Sequence, residues 1–89
     1  MRINDERICS MLKQHNSRGL ELLYDCYYRP LVLWADNFIN NVPAAEDIVQ
    51  DFFVRFWEKK LFERLTSANL KGYLFSSIRN LAIRLTLAR

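Results

Sequence analysis

Two glycines and two prolines are the only backbone punctuation in 89 residues. A small strand-rich domain needs more turn residues than that, so helices are expected. Histidine occurs once, at His15, and cysteine twice, at Cys9 and Cys26, far apart and in no CxxC or Cys/His pattern. This argues against a zinc site. The two thiols are expected to be reduced, as in an intracellular protein, with a disulfide as the minority alternative. The longest apolar run, around Leu31 to Ala35, is far below the roughly 20 residues a membrane helix needs. The opening Met1-Arg2-Ile3-Asn4-Asp5-Glu6 turns acidic at once and lacks the apolar stretch of a signal peptide, which points to the cytoplasm. His15 has no catalytic geometry around it, and Ser76 and Ser77 sit in no nucleophile motif. Neither an enzyme nor a bound cofactor is expected.

Apolar residues are plentiful. They make up 51% of the chain and include six phenylalanines, enough to stock the core of one small domain but not of two. Charge is unevenly spread. Met1 to Glu58 carries six basic and nine acidic residues, a balance of −3, whereas Lys59 to Arg89 carries seven basic residues and one acid, Glu63, a balance of +6. An acidic half and a basic half suggest two different partners, the basic one meeting nucleic acid. The alternative is that the charges only keep the domain in solution, and charge alone leaves both open.

Hydrophobic spacing predicts an all-α fold, a compact bundle of four to five helices. The first helix is expected over Asp5 to Gln14, with Ile8, Met11 and Leu12 as a narrow apolar stripe and Asn4 as N-cap. The second is expected over Arg18 to Asn40. Leu20, Tyr24, Tyr27, Leu31, Trp34 and Phe38 recur at three- and four-residue steps on its core face, and Leu22, Cys26 and Leu33 form a second strip. Two apolar sides mark a central helix, and Pro30 is expected to kink it or break its hydrogen bonds locally. Asn40 to Pro43 reads as a turn. The third helix follows over Pro43 to Lys59, with Ala45, Ile48, Val49, Phe52 and Phe56 toward the core. Asp47, Gln50, Asp51, Val54 and Glu58 lie opposite, and Phe53 and Trp57 on the border. A helical turn is expected near Leu61 to Leu65, then a loop, with Ser67 or Asn69 capping the last helix over Leu70 to Leu87. That helix is read with Leu70, Leu74, Ser77, Ile78, Leu81 and Leu85 inward, and Phe75, Ser76, Arg79, Asn80 and Ile83 outward.

The segment Ala45 to Lys60, AEDIVQDFFVRFWEKK, resembles region 2.2 of bacterial sigma factors: an acidic pair, a glutamine, another acid and a Phe/Trp-rich continuation. Upstream, LELLYDCYYRPLVLWA looks like region 2.1 of the extracytoplasmic-function group. Downstream, LKGYLFSSIRNLAI is similar to regions 2.3 and 2.4 of that group, through Tyr73, Leu74, Ile78 and Asn80. Three segments in order and in register cover nearly the whole chain, and residues 1–89 are expected to form one region 2 domain.

The resemblance implies two binding faces. One docks on the coiled coil of the largest subunit of core RNA polymerase, and it maps to Asp47, Gln50, Asp51, Phe53 and Val54. The acids suit Arg or Lys of a partner helix, and the glutamine can both donate and accept. The other face recognises and melts the minus-ten promoter element by binding its non-template single strand, with one base flipped into a pocket. Phe62 to Asn69 would shape that pocket, Phe75 would stack on a base, Asn80 would read a base edge or instead brace a neighbouring loop, and Ser76 belongs to the same DNA-binding set. Lys71, Arg79 and Arg84 would hold phosphates. An anti-sigma factor is a further implied partner. Tyr73 and the row Tyr24, Tyr27, Tyr28 and Trp34 are read as core packing instead.

Two departures qualify the resemblance. Family members usually carry a helix-turn-helix domain for the minus-thirty-five element, and no room for one follows Leu70, so the chain is expected to be one domain of a larger plan or a truncated product. The end, Ile83 to Arg89, is also more apolar than region 2.4 usually is. A helical protein-interaction module using Phe75 and Ile83 as a dimer or adaptor surface, without DNA binding, is the rival from another class.

Overall fold

Three asparagines start three helices. Asn4, Asn16 and Asn41 each sit in extended backbone and accept a hydrogen bond from an otherwise unpaired amide of the first turn, those of Arg7 (2.9 Å), Arg18 (3.0 Å) and Ala44 (3.1 Å). A computed structural model describes residues 4–87. Within them lie α1 (Asp5–Lys13), α2 (Ser17–Ile39), α3 (Val42–Glu58), a 3-10 turn (Leu61–Arg64) and α4 (Leu70–Leu87). The expected all-α bundle is what forms. Residues 1–3 and 88–89, on which the leader reading and the end of the last segment partly rested, lie outside the described residues. No described helix is long and apolar enough to cross a membrane.

The short turns are made without glycine. His15, Asn40 and Lys60 take the left-handed conformation, with φ of 57°, 53° and 53°. Asn40 ends α2 there, its amide donating to the Asp36 carbonyl at 2.8 Å. The chain thereby reverses between α2 and α3 with only Asn40 and Asn41 intervening.

The second helix packs against each of the other three. Its buried residues are Gly19, Leu23, Leu31, Val32, Ala35 and Ile39, and with half-buried Tyr27 most of them form a row of four-residue steps. Each such step turns about 400°, so the row drifts by about 40° per step and winds around the helix. This corrects the expected core face. Leu20, Tyr27, Trp34 and Phe38 are half-buried border residues, Tyr24 is 38% exposed, and in the second strip Cys26 and Leu33 are exposed. The large aromatics lie beside the seam because amphipathic rings tolerate a wet edge, while Gly19, Ala35 and other smaller side chains allow close approach at its centre. Pro30 is exposed inside a helix that continues through it. The carbonyl it deprives of a donor belongs to exposed Cys26, within reach of water.

Around α2 lie Ile8, Cys9 and Leu12 of α1, Ala45, Val49, Phe52, Phe53 and Phe56 of α3, and Leu70, Leu74, Ile78 and Ala82 of α4. Phe62 and Leu65 pin the connection before α4 to this core. Phe56 is fully buried, its ring centroid 5.6 to 6.3 Å from those of Phe52, Phe62 and Tyr73, so Tyr73 is core packing as expected. Cys9 is buried and Cys26 exposed, and both are free thiols; burial pushes the Cys9 thiol above its ordinary range. Cross-helix polar contacts are few. The Trp34 indole donates to the Phe75 carbonyl at 2.9 Å, joining α2 to α4. The Tyr27 hydroxyl donates to the Asp5 carboxylate at 2.8 Å, joining α2 to α1.

Two substitutions test the seam. A Cβ on Gly19 would lie 2.9 Å from the Leu12 amide nitrogen and 2.9 Å from the Met11 Cβ, whereas one on Gly72 would meet nothing within 4 Å. Gly19→Ala should therefore push α1 off α2 and lower stability by about 1–3 kcal/mol. Gly72→Ala, in an exposed helical position, should raise it by about 0.5–1 kcal/mol. Thermal unfolding of both variants separates the two signs. A third test concerns Tyr27, whose hydroxyl is held well above the ordinary tyrosine range, first by burial and then by the bond to Asp5. A raised folded-state pKa stabilises fully below the unfolded value of about 10 and is lost as pH climbs through the folded one. Tyr27→Phe should cost about 1–2 kcal/mol at neutral pH, and the gap from wild type should close in alkali above about pH 10.

Candidate functional site

With the inner faces of α3 and α4 buried, their outer faces carry the remaining chemistry. On α3, Asp47, Gln50, Asp51, Val54 and Glu58 are all exposed, and Val54 shows 55% of its surface. Helical spacing puts Asp47 beside Asp51, and Gln50 beside Val54. Among the described residues the one basic–acidic side-chain pair within 4 Å is His15 with Glu63 at 3.7 Å, so neither aspartate is engaged by a basic side chain there. Phe53 departs from the set it was grouped with. It is 4% exposed, and its ring forms a floor below the row instead of projecting from it.

Between this row and α2 runs a groove of about 470 Å³ lined by Leu20, Tyr24, Gln50, Phe53, Val54, Trp57 and Glu58. Tyr24 continues it onto a shallower surface with Glu21 and Asp25. Among the described residues no basic side chain lines either, so an apolar floor carries an acidic rim. Leu20, Tyr24 and Trp57 are the contributions that sequence spacing did not assign to this face. The signal available was the tyrosine itself, a ring suited to a half-wet border. The Tyr24 hydroxyl is held above its ordinary range, first by desolvation and then by neighbouring Tyr28.

On α4, Lys71, Ser76, Arg79, Asn80 and Arg84 are exposed, but they do not form one face. At about 100° per residue, Lys71 and Arg84 project about 140° apart. Most of the core face fills that shorter arc, and Ser76, Arg79 and Asn80 lie on the wider outer arc of about 220°, along with Ile83, which is 38% exposed. The Arg79 guanidinium donates weakly to the Asn80 side-chain oxygen at 3.5 Å, and among the described residues the Asn80 side-chain amide nitrogen has no hydrogen-bond partner. Arg84 turns toward α3, where it shares a groove of about 330 Å³ with Ile48, Asp51, Phe52, Arg55, Leu81 and Leu85. Leu85, expected in the core, is 40% exposed at the rim of that groove; Ala82 is the buried residue of the last turns instead.

Phe75 turns inward. It is half-buried and lies edge-on to Trp34 at 5.8 Å and Tyr27 at 6.5 Å, so its ring is already engaged by α2. The connection before α4 is anchored at Phe62, 2% exposed, and Leu65, 6% exposed. Its far end is closed by Asn69, whose side-chain oxygen accepts from the Thr66 amide at 2.8 Å while the Thr66 carbonyl accepts from the Leu70 amide at 3.0 Å. Asn69 thus caps backward onto its own loop. Glu63, Arg64, Thr66, Ser67, Ala68 and Asn69 remain exposed.

The arrangement offers hydrogen-bond acceptors and apolar surface on one side, cations and a carboxamide on another. Residues 23–88, covering most of α2 and all of α3 and the 3-10 turn, with α4, match the family model for Sigma-70 region 2; α1 lies before the match. No curated protein and no solved structure matches the chain closely enough to add to this. The chain belongs to the Sigma-70 region 2 family, a non-enzymatic domain of transcription initiation factors that serves in binding RNA polymerase and recognising promoters.

Proposed function

We propose that α3 docks on the coiled coil of the largest subunit of core RNA polymerase, while α4 and the loop before it capture the non-template strand of the minus-ten element. The observation that carries this reading is the row Asp47, Gln50, Asp51 and Val54, exposed and free of intramolecular ion pairs among the described residues, within the family match. Acceptors on an apolar footing suit arginines or lysines of a partner helix. Val54 and the groove behind it supply the apolar anchor. Phe53 contributes by supporting that groove from below.

Promoter melting follows by differential binding. Bases freed from the duplex find partners on α4 that the paired bases do not, which shifts the equilibrium toward the open state. Ser76 and Asn80 read base edges, and Lys71 and Arg79 hold phosphates. Arg84, on the α3 side, is peripheral to that strand. Stacking on the extruded base falls to groups other than Phe75, whose ring faces α2. The segments Leu20 to Ala35 and Leu70 to Ile83 favour membership of the extracytoplasmic-function group, whose control by an anti-sigma factor in the cytoplasm is part of the same proposal.

Two mutants separate the faces. Asp47→Lys combined with Gln50→Ala should weaken binding to purified core polymerase by about tenfold or more while leaving thermal unfolding unchanged; full affinity in the folded variant would move docking off α3. Asn80→Ala should weaken binding to a single-stranded minus-ten oligonucleotide by about 1–3 kcal/mol with polymerase affinity intact. Parallel loss of both affinities, or loss of neither, would show that the base reader lies elsewhere.

A further inference from the structure

Among the docking residues, Gln50 has a side-chain partner inside the domain. Its Nε2 donates to the Tyr28 hydroxyl at 3.1 Å, across the seam between α2 and α3. Tyr28 lies in turn on Tyr24, the two rings 4.5 Å apart and 17° from parallel. Tyr24 rests on the buried ring of Phe53, at 5.4 Å. A continuous set of contacts therefore runs from a core phenylalanine, through two stacked tyrosines, to the tip of an exposed glutamine. Among the described residues Asp47 and Asp51 have no side-chain bond of this kind.

Glutamine is among the side chains that lose most freedom when fixed. A side chain already held in place loses less on binding, and the tyrosine hydroxyl, both donor and acceptor, can hold either end of the carboxamide. We infer that Tyr28 is a positioning residue for polymerase docking: it holds Gln50 in the conformation that meets the partner helix, and the stack on Tyr24 holds Tyr28. The inference rests on the docking role proposed for α3. It adds a residue of α2 that need not touch polymerase to act on it.

The test is a double-mutant cycle. Wild type, Tyr28→Phe, Gln50→Ala and the double variant are titrated against purified bacterial core RNA polymerase by fluorescence anisotropy, with a thermal unfolding curve for each. Tyr28→Phe keeps the ring and its stack and removes only the hydroxyl. It should leave the melting temperature in place and weaken binding about twofold to tenfold, and in the Gln50→Ala background it should weaken binding no further. Wild-type affinity in Tyr28→Phe, or an equal loss in both backgrounds, overturns the positioning role while the docking face stands. If Gln50→Ala itself binds like wild type, the docking assignment of Gln50 falls and the role of Tyr28 falls with it.

Discussion

The close approach of α1 to α2 at Gly19, and the winding buried row that starts there, set the terms for the rest of the molecule. Because four-residue steps drift around the helix, the row turns with it, and residues on and beside the row meet three neighbours. Contact with α1 comes at Gly19 and Tyr27, with α3 at Tyr24 and Tyr28, and with α4 at Tyr27 and Trp34. Since α2 serves as the shared inner partner, α3 and α4 are free to expose one long face each. The division of charge along the chain then becomes a division in space. Acids and acceptors collect on α3 and the adjoining turns of α2, and most of the α4 cations face elsewhere.

Much of the architecture was legible because its causes are local. Asn4 before Asp5-Glu6, Asn16 before Ser17, and Asn41 ahead of Pro43 are side chains able to close a first turn, and all three helices begin there. The sides taken by Asp47, Gln50 and Asp51 followed from three- and four-residue spacing alone. What spacing does not reveal is which of two apolar strips meets a neighbour more closely. On α2 the larger rings drew attention, yet Leu23, Val32, Ala35 and Ile39 are buried while Tyr24, Tyr27, Trp34 and Phe38 stay toward the border.

Phe53 and Phe75 show the same limit from the other direction. Each sits at the border of its helix, where a residue can turn either way, and the neighbouring helix decides. Tyr24 covers Phe53 from α2, and Trp34 and Tyr27 draw Phe75 inward. The groove between α2 and α3 was hidden for a related reason. It is assembled from Leu20, Tyr24 and Trp57, which come from two helices and were each read as core in isolation or left on a border. Family resemblance supplied the functional meaning of α3; the fold supplied the finding that its acceptors stand over an apolar, acid-rimmed groove.

The separation of the two outer faces is open to a direct measurement. A photo-crosslinking amino acid is placed at Val54 in one sample and at Ser76 in another, each in complex with core polymerase and a promoter fragment opened at the minus-ten element. Position 54 should crosslink to the coiled coil of the largest subunit and position 76 to the non-template strand, with little exchange between them. Crosslinks from position 54 to DNA, or from position 76 to the coiled coil, would contradict the proposed assignment of polymerase to the outer face of α3 and of the promoter strand to that of α4.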